Sequence, residues 1–262
     1  MTPNRNKIVL IGAGNLATQL GLALKAKGFP IAQVYSRTLE SAESLAMKLR
    51  ANFTTDLKEI IPDASLYIFS IKDSALEEVL QNLPSLSGLY VHTAGSLPMN
   101  VFAPYHSRYG VFYPLQTFNK ERDVHFDHIP FFVEANNPGD ENLLKELAST
   151  LSDTVIRLDS EKRKYLHLAA VFANNFTNHL YAQASDILED QGIPREVLFP
   201  LIQETVDKIK SMTPREAQTG PAVRYDTNVI EKHLQLLEGD LRKQEIYDLL
   251  SRSIYELTKN DD

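Results

Sequence analysis

Lys7-Ile8-Val9-Leu10-Ile11-Gly12-Ala13-Gly14-Asn15-Leu16-Ala17 runs an apolar strand straight into Gly-x-Gly-x-x-Ala, with a helical pattern behind it. Gly12 permits the tight turn out of the strand, and Gly14 lets a pyrophosphate approach the backbone. Ala17 is small enough for the helix to pack close to a sheet. At the helix start, Asn15 and Leu16 offer free backbone donors at the positive end of the helix dipole, which favours a diphosphate. Leu16, Leu20, Leu22, Ala23 and Ala26 form the expected buried side, Gly28 stops the helix, and residues 31–35 read as the next strand. Strand, fingerprint, helix, stop and second strand in one unit predict a dinucleotide-binding fold.

That second strand ends in Val34-Tyr35-Ser36-Arg37-Thr38. A site for NAD carries an acidic side chain there, to accept from the ribose hydroxyls. Here a guanidinium stands between two hydroxyls, a set that clasps a ribose phosphate, whereas a carboxylate would repel it. Ser36, Arg37 and Thr38 therefore predict NADP. The plainer reading makes Arg37 a surface cation and Ser36 a cap for a helix over 38–49. The two are compatible.

With 262 residues, 43% hydrophobic and 23% charged, the chain can bury a sizeable core and form two domains. Its formal charge of -7 comes with no basic run or zinc-finger spacing, which argues against nucleic acid as a partner. The absence of cysteine excludes disulfides, iron–sulfur ligation and thiol nucleophiles, and fits a reducing cytosol. A core strand starting at Lys7 leaves no room for a signal peptide, and no apolar run is long enough to span a membrane. A cytoplasmic protein without a membrane partner is expected.

Up to residue 157, short apolar runs alternate with helices: strands over 65–71, 89–92, 131–134 and 154–156, helices over 75–83 and 139–151. Such alternation predicts an α/β domain, residues 1–157, with a mostly parallel sheet and ligands beyond the carboxyl ends of its strands. From residue 158 the pattern becomes all-helical. A helix over 161–189 lacks proline and glycine, with Tyr165, Leu168, Ala169, Phe172, Phe176, Leu180 and Ile187 as core positions. Pro194 opens a second helix, and further helices are expected over 214–218, 227–237 and 241–257. Residues 158–262 thus predict a helical substrate and dimerisation domain. Long apolar helices at this size often need a second subunit to cover them, so a homodimer is expected.

Three groups fall where the cofactor fold places its nicotinamide end. Ser70-Ile71-Lys72 leaves the third strand beside the nicotinamide ribose, or simply precedes a helix capped by Asp73 and Ser74. His92-Thr93-Ala94-Gly95-Ser96 puts a histidine suited to acid–base work at the end of a central strand, with Ser96 able to donate to a carbonyl or carboxylate. Alternatively His92 satisfies local backbone groups. In Tyr113-Pro114-Leu115-Gln116-Thr117-Phe118 the aromatics read as structural, with Gln116 and Thr117 able to face a cleft. On the long helix, Lys164, His167, Val171, Asn174, Asn178 and Tyr181 recur at three- and four-residue steps and share one stripe. Asn174 within an apolar stretch predicts a buried polar environment needing partners: substrate, the nicotinamide amide or the opposing domain, with helix-to-helix hydrogen bonding as the alternative. Arg224, in Thr219-Gly220-Pro221-Ala222-Val223-Arg224-Tyr225-Asp226, suits an anionic substrate or an ion pair with Asp226. No histidine spacing fits a metal site.

On Gly12-Ala13-Gly14-Asn15-Leu16-Ala17, His92-Thr93-Ala94-Gly95-Ser96, Tyr113-Pro114-Leu115-Gln116-Thr117-Phe118 and Thr219-Gly220-Pro221 with Arg224 and Asp226, the whole chain resembles a Rossmann-like NADP oxidoreductase family. That family has a C-terminal helical domain of unknown function (DUF2520-like). The chain is more distantly similar to pyrroline-5-carboxylate reductases, deazaflavin-dependent NADP reductases and 3-hydroxyacid dehydrogenases. The resemblance implies an NADP-binding, dimeric protein. In 3-hydroxyacid dehydrogenases the long helix bears a catalytic lysine four residues before an asparagine; here Ala170 precedes Asn174 and Val171 precedes Asn175 at that spacing. The expectation is a reductase delivering hydride from NADPH to a small C=O or C=N substrate between the domains. His167 and His92 are the proton-transfer candidates, and Asn174 and Ser96 orient the substrate. The competing expectation is a non-catalytic NADP-binding sensor or scaffold.

Overall fold

The computed structural model describes residues 7–259. They fall into two compact units that meet in sequence at Asn174 and Asn175. The first is built on eight strands, in chain order β1 (Ile8–Ile11), β2 (Ile31–Tyr35), β3 (Asn52–Thr54), β4 (Leu66–Phe69), β5 (Leu89–His92), β6 (Tyr109–Pro114), β7 (Phe131–Ala135) and β8 (Val155–Arg157). They lie side by side as β3-β2-β1-β4-β5-β6-β7-β8. Every neighbouring pair is parallel except β6 and β7, which run antiparallel. The mostly parallel sheet expected from the alternating pattern is therefore present, with one inversion that the sequence did not announce.

Central strands such as β1 and β4 are buried along their whole length because both faces of the sheet are covered. Ile8 and Leu10 pack with Ala17, Leu20 and Leu24 of α1 (Asn15–Ala26) and with Leu45 and Leu49 of α2 (Leu39–Leu49). Val9 and Ile11 face the other way, onto Leu76, Val79 and Leu80 of α3 (Asp73–Asn82). The buried face of α1 is turned from the expected one: Leu24 is fully buried, whereas Leu22 and Ala23 are half-buried and Ala26 is exposed. A fourth helix, α4 (Pro138–Ser149), covers the inverted end of the sheet through Leu144, Leu147 and Ala148.

α5 (Ser160–Ala170) packs within the first unit, so the sheet-bearing unit extends beyond residue 157, into the stretch read from sequence as the helical domain. The expected single helix over 161–189 is interrupted. A π-turn, Val171–Phe176, separates α5 from α6 (Thr177–Glu189). A π-turn admits an extra residue, so the three- and four-residue stripe drawn from Lys164 to Tyr181 does not keep one face.

The second unit holds α6, α7 (Phe199–Ser211), α8 (Thr227–Leu236) and α9 (Leu241–Lys259). Residues 214–217 form a hydrogen-bonded turn and not the expected helix. Leu180, Ile187, Ile246, Leu250 and Ile254 line an apolar cavity of about 350 Å³ within this unit.

Candidate functional site

Parallel pairing brings the carboxyl ends of the central strands to one level: Ile11 pairs with Phe69, and Phe69 with His92. The residues that follow, Gly12, Ser70 and Thr93, begin the loops of the site. Gly12 has φ +119, and a Cβ there would lie 2.2 Å from the carbonyl oxygen of Ser70. Only glycine lets these two loops approach so closely. Gly14 is the N-cap of α1, with extended backbone and no side-chain cap, and a Cβ on it would meet nothing within 4 Å. The first-turn N–H groups of α1 thus keep an open approach.

Around this turn lies a cavity of about 270 Å³. Of the ten residues expected at the cofactor, it gathers Gly12, Gly14, Ser36, Arg37, Ser70, Ile71 and Lys72, with Ser41 added from α2. The other three lie outside its lining. Asn15 uses its side-chain oxygen to accept from the backbone N–H of Lys120 at 3.3 Å. Leu16 packs partly buried against the core, and Thr38 is the exposed N-cap of α2, with no side-chain cap bond. Arg37 is exposed and makes no ion pair among the described residues.

A second cavity of about 220 Å³ shares Ala13 and Ser41 with the first and adds Lys48 and Lys120. Lys120 was not anticipated, because it comes from a loop a hundred residues away. Gln19 brings it there: its amide donates to the carbonyls of Asn119 and Arg122, both at 2.7 Å. A polar residue on the buried side of α1, only 5% exposed, was the available signal.

Toward β5 and β6 the site changes character. Thr93 Oγ1 donates to Ser70 Oγ at 3.2 Å, linking the two loops. Ser96 donates to the Asp73 carboxylate, so Asp73 meets Ser96 and does not cap its own helix, whose N-cap is Lys72. His92 is 1% exposed, and its Nδ1 accepts from the Ala94 N–H at 3.2 Å. Burial, with the Arg163 charge, pushes its pKa down to about 3, and the backbone at Pro98 opposes this more weakly. A neutral, enclosed imidazole is poorly placed for the proton transfer expected of it; desolvation is the reason. Gln116 spends its side-chain oxygen on the Thr117 N–H at 2.8 Å.

A buried polar lock lies behind this loop. Arg163, fully enclosed, donates to the Glu134 carboxylate at 2.9 Å, to the Leu97 carbonyl and to Ser160 Oγ at 3.2 Å. Ser160 Oγ in turn donates to Glu134 at 2.7 Å and accepts from the Met99 N–H at 2.9 Å. This fixes the start of α5 against β7 and the loop after β5. One turn on, His167 lies against Gly95, and its Nδ1 is 3.1 Å from the hydroxyl of Tyr113. The structure therefore brings His167 to the loop that carries Ser96. Asn174 lies exposed in the π-turn with no side-chain hydrogen bond among the described residues, not in the buried surroundings expected. In the second unit, Arg224 is exposed, while Asp226 caps α8 through the Val229 N–H and does not pair with it.

Two family models match successive parts of the chain. One, described as NADP oxidoreductase coenzyme F420-dependent, matches residues 7–91; the other, a domain of unknown function (DUF2520), matches residues 129–254. A solved structure of a candidate NADP oxidoreductase from Bacteroides fragilis is 55% identical, with a TM-score of 0.94, over 97% of this chain and 100% of its own. A reductive aminase from Aspergillus terreus, solved with NADPH and ethyl-5-oxohexanoate, shares the fold at 16% identity. Its TM-score is 0.71, over 98% of this chain and 93% of its own. Pyrroline-5-carboxylate reductase from Pseudomonas aeruginosa is 33% identical over 99 residues, 35% of this chain and 36% of that enzyme. The chain thus spans about a third of the length of this curated relative.

Proposed function

The chain belongs to the Rossmann-type NADP oxidoreductase family that carries a C-terminal DUF2520-like helical domain, and on that premise we propose that it transfers hydride between NADP(H) and a small C=O or C=N substrate. The observation that carries the reading is a cavity in which Gly12 and Gly14 stand beside Ser36 and Arg37, with no carboxylate at the end of β2. The Cβ-free backbone of Gly12 and the open first turn of α1 fit a diphosphate. When bound, NADPH supplies the hydride.

The chain's own groups then divide the work. Arg37, with Ser36 and Ser41, holds the ribose phosphate, and the backbone of Ser70, Ile71 and Lys72 lies along the nicotinamide ribose. His167 exchanges a proton with the substrate heteroatom, the role of a positioned general acid. Ser96, oriented by Asp73, and Asn174 hold the substrate. His92, kept neutral by burial, supports the loop. Arg224, exposed in the second unit, is available to a substrate carboxylate. A second copy of the chain covers the exposed apolar faces of the helices.

Titration of nicotinamide fluorescence with NADPH and NADH tests the cofactor assignment. Arg37→Ala is expected to weaken NADPH about 10- to 100-fold, the scale of a lost charged hydrogen bond, and to leave NADH unchanged. Equal loss for both nucleotides would remove Arg37 from the ribose phosphate. Binding without turnover across a panel of ketones and cyclic imines would favour the sensor over the enzyme.

A further inference from the structure

We propose that Tyr113 is a positioning residue for His167: its hydroxyl donates to Nδ1, so that Nε2–H is the group that gives its proton to the substrate heteroatom. The Tyr113 proton moves onto Nδ1 in the same step, solvent then returning a proton to the phenolate. This rests on the reading of His167 as the proton-exchanging group and adds the residue that decides which of its two nitrogens acts.

Two groups hold the His167 ring, Tyr113 and Gly95. Tyr113 Oη lies 3.1 Å from His167 Nδ1, with the two rings edge-on at 6.2 Å. Beneath the imidazole is Gly95, where a Cβ would stand 2.5 Å from Nδ1 and 2.6 Å from Cγ. The ring therefore occupies space that only a glycine leaves free. Tyr113 is itself fixed, 8% exposed and packed with Val111 and Phe132.

The direction of the hydrogen bond follows from counting partners. Among the described residues, His167 Nδ1 is the one hydrogen-bonding atom facing the Tyr113 hydroxyl. If Nδ1 carried the proton, the phenolic proton would have no acceptor among the described residues; donating to Nδ1 satisfies it. Burial raises the Tyr113 pKa, with the Arg163 charge lowering it less, so the phenol keeps its proton at neutral pH. The other charged groups nearby are committed elsewhere: Arg163 to Glu134, Asp73 to Ser96, and Lys164 to Glu161. Neutral His167 is then held in one tautomer, with Nε2–H pointing away from Tyr113.

Long-range proton–nitrogen NMR of the full chain labelled at histidine, with His167 assigned by His167→Asn, reads this directly. In the wild type, Nδ1 is expected to be unprotonated and Nε2 protonated. In Tyr113→Phe, close to isosteric, this asymmetry is lost and the two nitrogen shifts move toward each other. Gly95→Ala, which displaces the ring but keeps the phenol, should give the same loss and serves if Tyr113→Phe fails to fold. A protonated Nδ1 in the wild type, or unchanged shifts in a folded Tyr113→Phe, overturns the proposal.

Turnover of 1-pyrroline with NADPH gives a second readout. The kcat of Tyr113→Phe should fall about tenfold, part of the roughly 10²–10⁴-fold that a positioned proton donor contributes, at unchanged KM for NADPH. An equal loss with Tyr113→Phe and Tyr113→Leu in both kcat and KM would mark Tyr113 as packing alone and overturn the proposal. If the wild type turns over neither imines nor ketones, the proposed function fails, and the NMR result still decides the tautomer.

Discussion

His92 shows what burial does to a residue whose type suggests chemistry. Its pKa of about 3 lies well below the ordinary 6.5, mainly through desolvation. The folded chain therefore refuses a proton that the unfolded chain accepts. Stability is complete above about pH 6.5 and declines as the pH falls toward 3, by about 1.4 kcal/mol per pH unit. Between pH 6.5 and 5, His92 should account for about 2 kcal/mol of lost stability. Denaturant unfolding of the wild type and His92→Gln at the two pH values measures it, and parallel losses in the two proteins would refute it. The strand end was readable from sequence, since β5 stops at His92 as expected. Its enclosure was not, because it depends on Phe102, Pro98 and Arg163 arriving from elsewhere in the chain. Tyr113 went the other way. It read as a structural aromatic, and its hydroxyl gains meaning only from a helix more than fifty residues later.

At the scale of elements, local grammar was enough for the strand–turn–helix unit around Gly12, because each requirement there is met within a few residues. The inversion of β7 has no local sequence signal, and the packing of α5 was hidden because it depends on a polar cluster assembled from distant segments. Arg163 and Glu134 carry that arrangement. Arg163→Met leaves the Glu134 carboxylate in a mostly buried site without its cation, at a cost of about 3–5 kcal/mol. Adding Glu134→Leu should return a good part of that stability. A double variant no more stable than Arg163→Met would show that the pair is not coupled. The broken helix over 161–189 teaches a related lesson: absence of proline and glycine does not exclude a π-turn, which needs neither.

For the whole molecule, the misleading signal was hydrophobic periodicity. Tyr165, Leu168, Phe172 and Phe176 read as core, yet they are 74%, 53%, 62% and 51% exposed. In the second unit, Val197, Phe199 and Leu201 are more than half exposed. Periodicity reports that a helix has an apolar face and is silent about what covers it. With a second copy as the covering partner, sedimentation velocity should give twice the 29.6 kDa chain mass at micromolar concentration. Leu168→Glu and Leu201→Glu should shift the protein toward monomer. A wild-type monomer at all accessible concentrations would refute the dimer. Among the described residues no helix is long and apolar enough to cross a membrane, so these faces are not spans.

α5 touches the loop after β5 at two points one helical turn apart: Arg163 at the Leu97 carbonyl and His167 at Gly95. Residues four apart share a face and are separated by about 6 Å along the axis. On the proposed role of His167, anchorage and proton exchange fall to different positions of the same short helix. If His167 has that role, position 167 with its neighbours 95 and 113 can be rewritten while the anchor holds the backbone still, a compact cassette for redesign on an unchanged scaffold.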